Sequence, residues 1–268
     1  MTAIEFAGVC RDFNTPEGAT YRALDDITFR VDAGAFVAIV GPSGCGKSTL
    51  LNIAAGLITP SIGEVRVDGQ PLTGLNRRAT YMFQQDALLP WKNVRDNVAL
   101  GLALAGAASR EAHARADAWL DRVGLAAFAA HYPAQLSGGM RKRVAMAQNW
   151  IIDRGLLLMD EPFSALDVHT RQRMETELLS LWEGAGARRT VLFVTHDLDE
   201  AIALADDVVV LSAGPASRVV ARHRVTLERP RDLMELRTTP AYIDLYRALW
   251  VVLREEVVKS QRAEARRA

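Results

Sequence analysis

Nine consecutive residues constrain this chain more than any others: Gly41, Pro42, Ser43, Gly44, Cys45, Gly46, Lys47, Ser48 and Thr49. An apolar run, Phe36 to Val40, precedes them and reads as a buried strand. Leu50 to Ala55 follows and reads as a helix. A strand, a glycine-rich turn and a helix in that order form the context of a phosphate-binding loop. Glycine reaches backbone angles closed to other residues, so successive N–H groups can turn inward around an anion. The helix start adds unpaired donors and a partial positive charge. Lys47 is placed to reach β- and γ-phosphates, and the Ser48 hydroxyl to bind Mg²⁺. With Gly near 7% of residues, the bare pattern arises by chance in roughly one chain in a hundred of this length, so the flanking strand and helix carry the assignment.

Composition narrows the partners. Lys plus Arg equals Asp plus Glu at 32 each, with pI about 7.0. No global basic field recommends nucleic acid as the main partner. The two cysteines are Cys10 and Cys45, and a disulfide at Cys45 would obstruct the phosphate loop. That predicts a reducing, cytosolic compartment. The N-terminal residues Met1 to Phe6 do not read as a secretory leader. The longest apolar run, Val98 to Ala108, is too short to span a bilayer. Work at a membrane would need another chain to supply the spans.

Residues 4–9 and 27–31 read as strands, with a polar turn, Asn14 to Gly18, between them. Phe13 and Tyr21 flank that turn. Either could stack on an adenine ring, and either could serve core or strand pairing instead. Gly63–Gly69 and Ala79–Phe83 read as further strands. The second ends on Gln84, Gln85 and Asp86, a position that faces ligands in an open α/β sheet. From Asn93 to about Ile152 strand signals stop, and Ala-rich helical stretches, including 110–123, predict a helical lobe inserted into the core. Its last helix follows Leu136-Ser137-Gly138-Gly139-Met140, where Ser137 is a candidate N-cap and the glycines admit a close backbone.

Leu156–Asp160 reads as a buried strand ending in a carboxylate, with Glu161 next. Asp160 there can bind the Mg²⁺ held by Ser48, and Glu161 can act as general base on water. The pair could also merely open a turn with Pro162. Ser164 to Asp167 reads as a loop before a helix over about 170–182. Thr190–Thr195 is another strand, ending on His196 and followed by a helix over about 198–204. His196 could reach a γ-phosphate, or simply be hydrogen-bonded in place. Residues 208–211 and 219–225 read as closing strands. Beyond about Arg231 the chain reads as helical, ending in a charged tail, Lys259–Ala268, expected to be solvated or mobile.

Taken in order, these motifs resemble the nucleotide-binding domain of ABC transporters along about the first 230 residues. Walker A corresponds to Gly41–Thr49 and the Q-loop glutamine to Gln84. The signature loop corresponds to Leu136–Met140, and Walker B to Leu156–Asp160 with Glu161 as catalytic base. The D-loop corresponds to Ser164–Asp167 and the switch histidine to His196. Phe13 fits the family's adenine-stacking aromatic better than Tyr21.

The resemblance implies an α/β P-loop core of ABC type with an inserted helical subdomain (93–152) and an antiparallel β portion. The nucleotide-binding domain would span 1–230, with a C-terminal helical extension over 231–268. It implies ATP and Mg²⁺ as cofactors, and Gln84 as a metal-site residue beside Ser48 and Asp160. Two copies would enclose two ATP molecules head to tail. Ser137, Gly138, Gly139 and Asp167 of each copy would then face the other's nucleotide. A transmembrane permease and, indirectly, a substrate-binding protein would complete the system. The place implied is the cytoplasmic face of the bacterial inner membrane. Leu88–Trp91, Asp199–Ala201 and the segment Arg237–Asp244 resemble importer subunits of the nitrate/sulfonate/taurine branch. Met140, where Gln is commonest, and Gln148-Asn149-Trp150 depart from the usual pattern. A soluble ABC ATPase acting on DNA or ribosomes is the alternative, and would usually carry two such domains or a long coiled coil.

Overall fold

A computed structural model describes residues 1–15, 18–164, 166–184 and 188–265. Part of the expected 14–18 turn, Ala165 of the 164–167 loop, and residues 266–268 lie outside the described residues.

Two sheets organise the chain. The first is antiparallel, in the order β2 (Thr20–Asp32), β1 (Thr2–Asn14), β4 (Ile62–Val67), β5 (Gln70–Pro71). The second has six strands, in the order β10 (Val219–Arg224), β9 (Asp207–Leu211), β3 (Phe36–Val40), β8 (Thr190–Val194), β7 (Leu156–Asp160), β6 (Ala79–Met82). Only β10 runs antiparallel to its neighbour there.

The unbroken apolar runs of β3, β7 and β8 follow from burial on both faces. Phe36, Ala38 and Val40 point into one core, with Leu157, Met159, Val191 and Phe193. Val37 and Ile39 point into the other, with Leu156, Leu158, Leu192 and Val194. The first core is closed by helices. The second is closed by the antiparallel sheet and by α1 (Lys47–Ala54).

Between β6 and β7 the described elements are helical: α2 (Val94–Leu104), α3 (Ser109–Arg122) and α4 (Gly138–Trp150), with short turns of 3-10 helix between α3 and α4. The core adds α5 (Val168–Glu183) and α6 (Leu198–Leu204). Strands β1 and β2 are much longer than the expected 4–9 and 27–31, because register shifts carry the pairing through to Asn14↔Thr20.

The described residues end in helix, and Lys259, Gln261 and Arg262 of the charged segment are exposed. After a short α7 (Leu233–Leu236), helix α8 runs from Pro240 to Ala265. Tyr242, Leu249, Leu253 and Glu256 form its buried face, spaced seven, four and three residues apart. Glu256 accepts a hydrogen bond from the Ala213 N–H at 2.8 Å, which satisfies a buried carboxylate. No helix among the described residues is long and apolar enough to cross a membrane.

Candidate functional site

Strands β3, β8 and β7 lie side by side and parallel, so their carboxyl ends open at one edge. There the chain places the phosphate loop after β3, Thr195 and His196 after β8, and Asp160 and Glu161 at the end of β7. That is the crevice where open α/β sheets hold ligands.

The loop has a buried and an exposed side. Pro42, Cys45 and Lys47 are buried, while Ser43, Gly44 and Ser48 are exposed. Cys45 therefore points down into the second core rather than at a ligand, and burial pushes its thiol up. Both cysteines are free. Gly46 has φ of 93°, and a Cβ there would sit 2.7 Å from Leu24. Glycine is thus required twice over, by conformation and by space. Gly46 also starts α1 without any side-chain cap, so the helix's first N–H groups are left for an anion. Lys47 Nζ donates to the carbonyls of Gly41 (2.9 Å) and Pro42 (3.1 Å), which holds the ammonium across the loop.

A cavity of about 420 Å³ opens over this loop. Phe13, Tyr21, Ser43, Gly44, Lys47, Ser48, Thr49, Gln84 and Glu161 are among its walls. Phe13 and Tyr21 face each other across β1 and β2. The Arg11 guanidinium lies 4.6 Å over the Phe13 ring, fixing one face of it. The sequence-predicted residues Ser137, Gly138, Gly139 and Asp167 are not among the described residues lining this cavity.

The polar centre is tightly connected. Ser48 Oγ donates to Asp160 Oδ1 at 3.0 Å, and the Tyr81 hydroxyl donates to Asp160 Oδ2 at 3.3 Å. Burial pushes the Asp160 carboxyl up, and these two hydrogen bonds oppose it. Burial, then the Asp160 charge, pushes the Tyr81 hydroxyl up as well. One oxygen of Glu161, Oε2, meets both His196 Nδ1 at 3.1 Å and Gln84 Nε2 at 3.3 Å. Glu161 has φ of 43°, a left-handed conformation that is strained for a non-glycine residue and recurs at functional sites.

The donor set fits Mg²⁺. A hydroxyl, a carboxylate and an amide oxygen are hard ligands, which suit this ion. Among the described residues no three His, Cys, Asp or Glu side chains cluster to hold a metal alone. That suits an ion which keeps water and nucleotide oxygens in its shell.

The helical lobe presents the other predicted motif. Ser137 caps α4, its hydroxyl accepting from the Met140 N–H at 3.3 Å. A Cβ on Gly139 would lie 2.7 Å from Thr170 of α5, so close helix packing explains that glycine within this chain. Asp167 caps α5 by accepting from the Thr170 N–H at 3.0 Å, and that bond holds its carboxyl low.

Several residues were not legible as functional from sequence. Lys142 of α4 donates to the Gln84 carbonyl at 2.6 Å and pairs with Asp86 at 3.0 Å. Arg141 pairs with Asp86 as well, at 3.3 Å. The helix that starts at the signature loop is thereby tied to the segment carrying Gln84. Asn97, fully buried, accepts from the Leu89 N–H (2.7 Å) and donates to the Leu89 and Lys92 carbonyls (3.1 and 2.9 Å).

A second cavity, about 470 Å³, lies between the core and the helical lobe. Its walls include Leu57, Leu75, Tyr81, Phe83 and Leu104, of which Leu104 is 82% and Leu75 66% exposed. The Tyr81 and Phe83 rings stack at 4.3 Å along one wall. The Leu88–Trp91 segment divides between core and surface. Leu88 is buried in the core, and Trp91 stands 72% exposed.

Comparisons with known proteins agree with this geometry. The ABC transporter family model matches residues 24–164. An uncharacterised ABC transporter ATP-binding protein of Methanocaldococcus jannaschii is 43% identical over 243 residues, covering 91% of this chain and 88% of the relative. The nitrate import ATP-binding protein NrtD of Synechococcus elongatus is 41% identical, covering 90% and 88%. The taurine import ATP-binding protein TauB of Yersinia pestis is 45% identical, covering 74% and 76%. Among solved structures, the dimeric bacterial ABC transporter cassette MJ0796 superposes with a TM-score of 0.74 at 32% identity, covering 84% of this chain and all of that one. A post-hydrolysis state of the same cassette, bound to ADP and Pi, gives 0.73. With the phosphate loop, Asp160 and Glu161 at one sheet edge and relatives matching over nine-tenths of the chain, this protein belongs to the ABC transporter family and is one of its ATP-hydrolysing cassettes.

Proposed function

We propose that this chain is the ATP-hydrolysing subunit of a membrane importer for a small molecule of the nitrate/sulfonate/taurine type. The observation that carries the proposal is the placement of the exposed apolar cleft beside the nucleotide cavity. Strand β6 and the residues just after it border both. Tyr81 stacks on Phe83 in the cleft and reaches Asp160 with its hydroxyl, and Gln84 lies at the cavity. An exposed apolar patch of this kind marks a partner surface. A permease helix seated there would sense, and move, residues that touch the nucleotide site. The TauB and NrtD relatives support the importer type and the substrate class.

In this reading Phe13 stacks on adenine. The loop from Gly41 to Thr49 cradles the phosphates through its N–H groups. Lys47 turns its ammonium from the loop carbonyls to the β- and γ-phosphates. Glu161 accepts a proton from the attacking water as the bond to the γ-phosphorus breaks. Gln84 and His196, both on Glu161 Oε2, orient that carboxylate and the water. Ser48, Asp160 and Gln84 would hold Mg²⁺, which supplies charge neutralisation at the phosphates.

Ser137, Gly138, Gly139 and Asp167 complete the site of a second copy. The dimeric state of the cassette that superposes on this chain supports a second copy. Residues 1–230, with the helical subdomain at 93–152, form the cassette, and 231–268 an extension packed on it. The subunit sits peripherally at the cytoplasmic face of the inner membrane. A substrate-binding protein acts through the permease, and nucleic acid has no place in the scheme.

Affinity capture of the tagged chain from its own membranes tests this reading. A polytopic membrane protein should co-purify, and Leu104→Glu should abolish that capture while leaving ATP binding within about twofold, since the cleft is apolar. Recovery of ribosomes or DNA instead, or unchanged capture by the variant, overturns it.

A further inference from the structure

The first turn of α5 touches three functional segments at once. Thr170 fills the space over Gly139 of the signature loop. Asp167 caps the helix from the 164–167 loop. Arg171, at the fourth helical position, turns back across the helix start. Its Nη2 donates to the Leu166 carbonyl at 3.3 Å, and its Nη1 donates to Asp197 Oδ2 at 3.0 Å. Its Nε lies 3.7 Å from Glu200 Oε1. A cation near a helix N-terminus opposes the macrodipole, so this placement costs stability unless acids answer it. Asp197 and Glu200 supply them.

Asp197 immediately follows His196, and a chain of hydrogen bonds holds the residues on either side of that histidine. The Thr195 N–H donates to the Ile39 carbonyl at 3.1 Å, and the Thr195 hydroxyl to Glu200 Oε2 at 2.6 Å. The Asp197 N–H donates back to Thr195 Oγ1 at 3.0 Å. Asp197 Oδ1 caps α6 by accepting from Asp199 and Glu200 N–H groups. Its Oδ2 is bound by Arg171. The histidine is thus clamped on its N-terminal side by β3 and α6, and on its C-terminal side through Arg171 by α5.

We infer that Arg171 is a positioning residue for hydrolysis. It ties the carbonyl of Leu166, in the loop facing the second copy, to the backbone that carries His196. It thereby sets the distance from His196 to Glu161. Guanidinium suits the task, because its planar fork can address the carbonyl and the carboxylate together, whereas an ammonium acts as a single point. Without it Asp197 is left beside buried Glu200, and the two acids repel. This inference rests on the proposed roles of Glu161 and His196.

Steady-state ATPase kinetics on the full chain test it, with Arg171→Met, Arg171→Lys, His196→Ala and the Arg171→Met/His196→Ala double variant. Arg171→Met should lower kcat about tenfold or more with KM within about twofold, the pattern of an interaction used only in the transition state. Arg171→Lys should restore the melting temperature but not kcat. The double variant should be no slower than His196→Ala, because both changes act on one element. Asp197→Asn breaks the same ion pair while its amide oxygen keeps the α6 cap. It should repeat the kcat loss, and it decides the matter if Arg171→Met does not fold. Unchanged kcat, a loss confined to KM, full rescue by lysine, or losses that multiply with His196→Ala would each overturn the inference. If Glu161→Gln also leaves hydrolysis untouched, the underlying assignment has failed instead.

Discussion

Helices α1 and α4 both begin at glycines, and both look from sequence like anion sites, yet they are built differently. The start of α1 has no side-chain cap, and Gly46 there is left-handed, so its first N–H groups are not taken by a side chain. The start of α4 is already closed on itself, since Ser137 takes the Met140 N–H. Gly46 is required by Leu24 beneath the phosphate loop, whereas Gly139 is required by Thr170 of a neighbouring helix. One terminus is prepared for a ligand within its own chain. At the other, Ser137 already takes the Met140 N–H, and it must exchange that bond before it can serve a phosphate. On the proposed reading, the first is a half-site within its own chain and the second a contribution to the site of another copy.

The contrast can be broken most severely at Lys47. Lys47→Ala removes the ammonium that spans the phosphate loop, so hydrolysis should vanish and ATP affinity fall steeply. Near-wild-type affinity in a nucleotide titration contradicts the assignment. Phe13→Ala should weaken ATP binding by about 1–3 kcal/mol, the scale of one base–aromatic stack. If Tyr21→Ala does this and Phe13→Ala does not, the adenine lies on the other aromatic. At the second terminus, Ser137→Ala should cost about 1 kcal/mol of stability as a lost N-cap, without changing ATP affinity in the monomer. A large loss of monomer affinity would make α4 a ligand site of its own chain.

A third helix start, α6, sharpens the contrast through pH. It is self-capped by Asp197, and burial pushes Glu200 in its first turn up to about 7. Its ordinary value is 4.5. Between those values the folded chain holds a proton that the unfolded chain has lost. The destabilisation from Glu200 therefore grows as pH rises and is complete above about 7. Glu200→Gln removes the charge and keeps an oxygen for the Thr195 hydroxyl. Its melting temperature should rise above wild type by an amount worth about 1 kcal/mol at pH near 8, and the gap should close toward pH near 5. A gap that stays constant contradicts the burial account.

Local chemistry was legible in the sequence. The phosphate loop carries its meaning in nine residues, and β3, β7 and β8 announce themselves as apolar runs because both faces are covered. The helical lobe showed as a change from strand-like to helical pattern. What was not legible depends on pairings across long separations. Arg171 meets Asp197, Lys142 meets Gln84 and Asp86, and Tyr81 meets Asp160, and none of these leaves a local pattern. How α8 packs on the core was obscured for a different reason. Its basic residues dilute the apolar period, and one of its buried positions is a glutamate whose partner, the Ala213 N–H, lies 43 residues away.

The central claim is that the start of α4 serves the nucleotide of a second copy. Size-exclusion chromatography of Glu161→Gln, with and without ATP and Mg²⁺, measures it directly beside a nucleotide-binding titration. Loss of the general base slows hydrolysis by about 10²–10⁴. ATP then stays bound, and the single variant should run as a monomer without nucleotide and as a dimer with it. Adding Ser137→Arg should leave ATP binding intact and abolish the dimer, because a bulky side chain occupies the position of the phosphate. A double variant that dimerises as well as the single one, or that loses ATP binding while circular dichroism shows it folded, would contradict the claim.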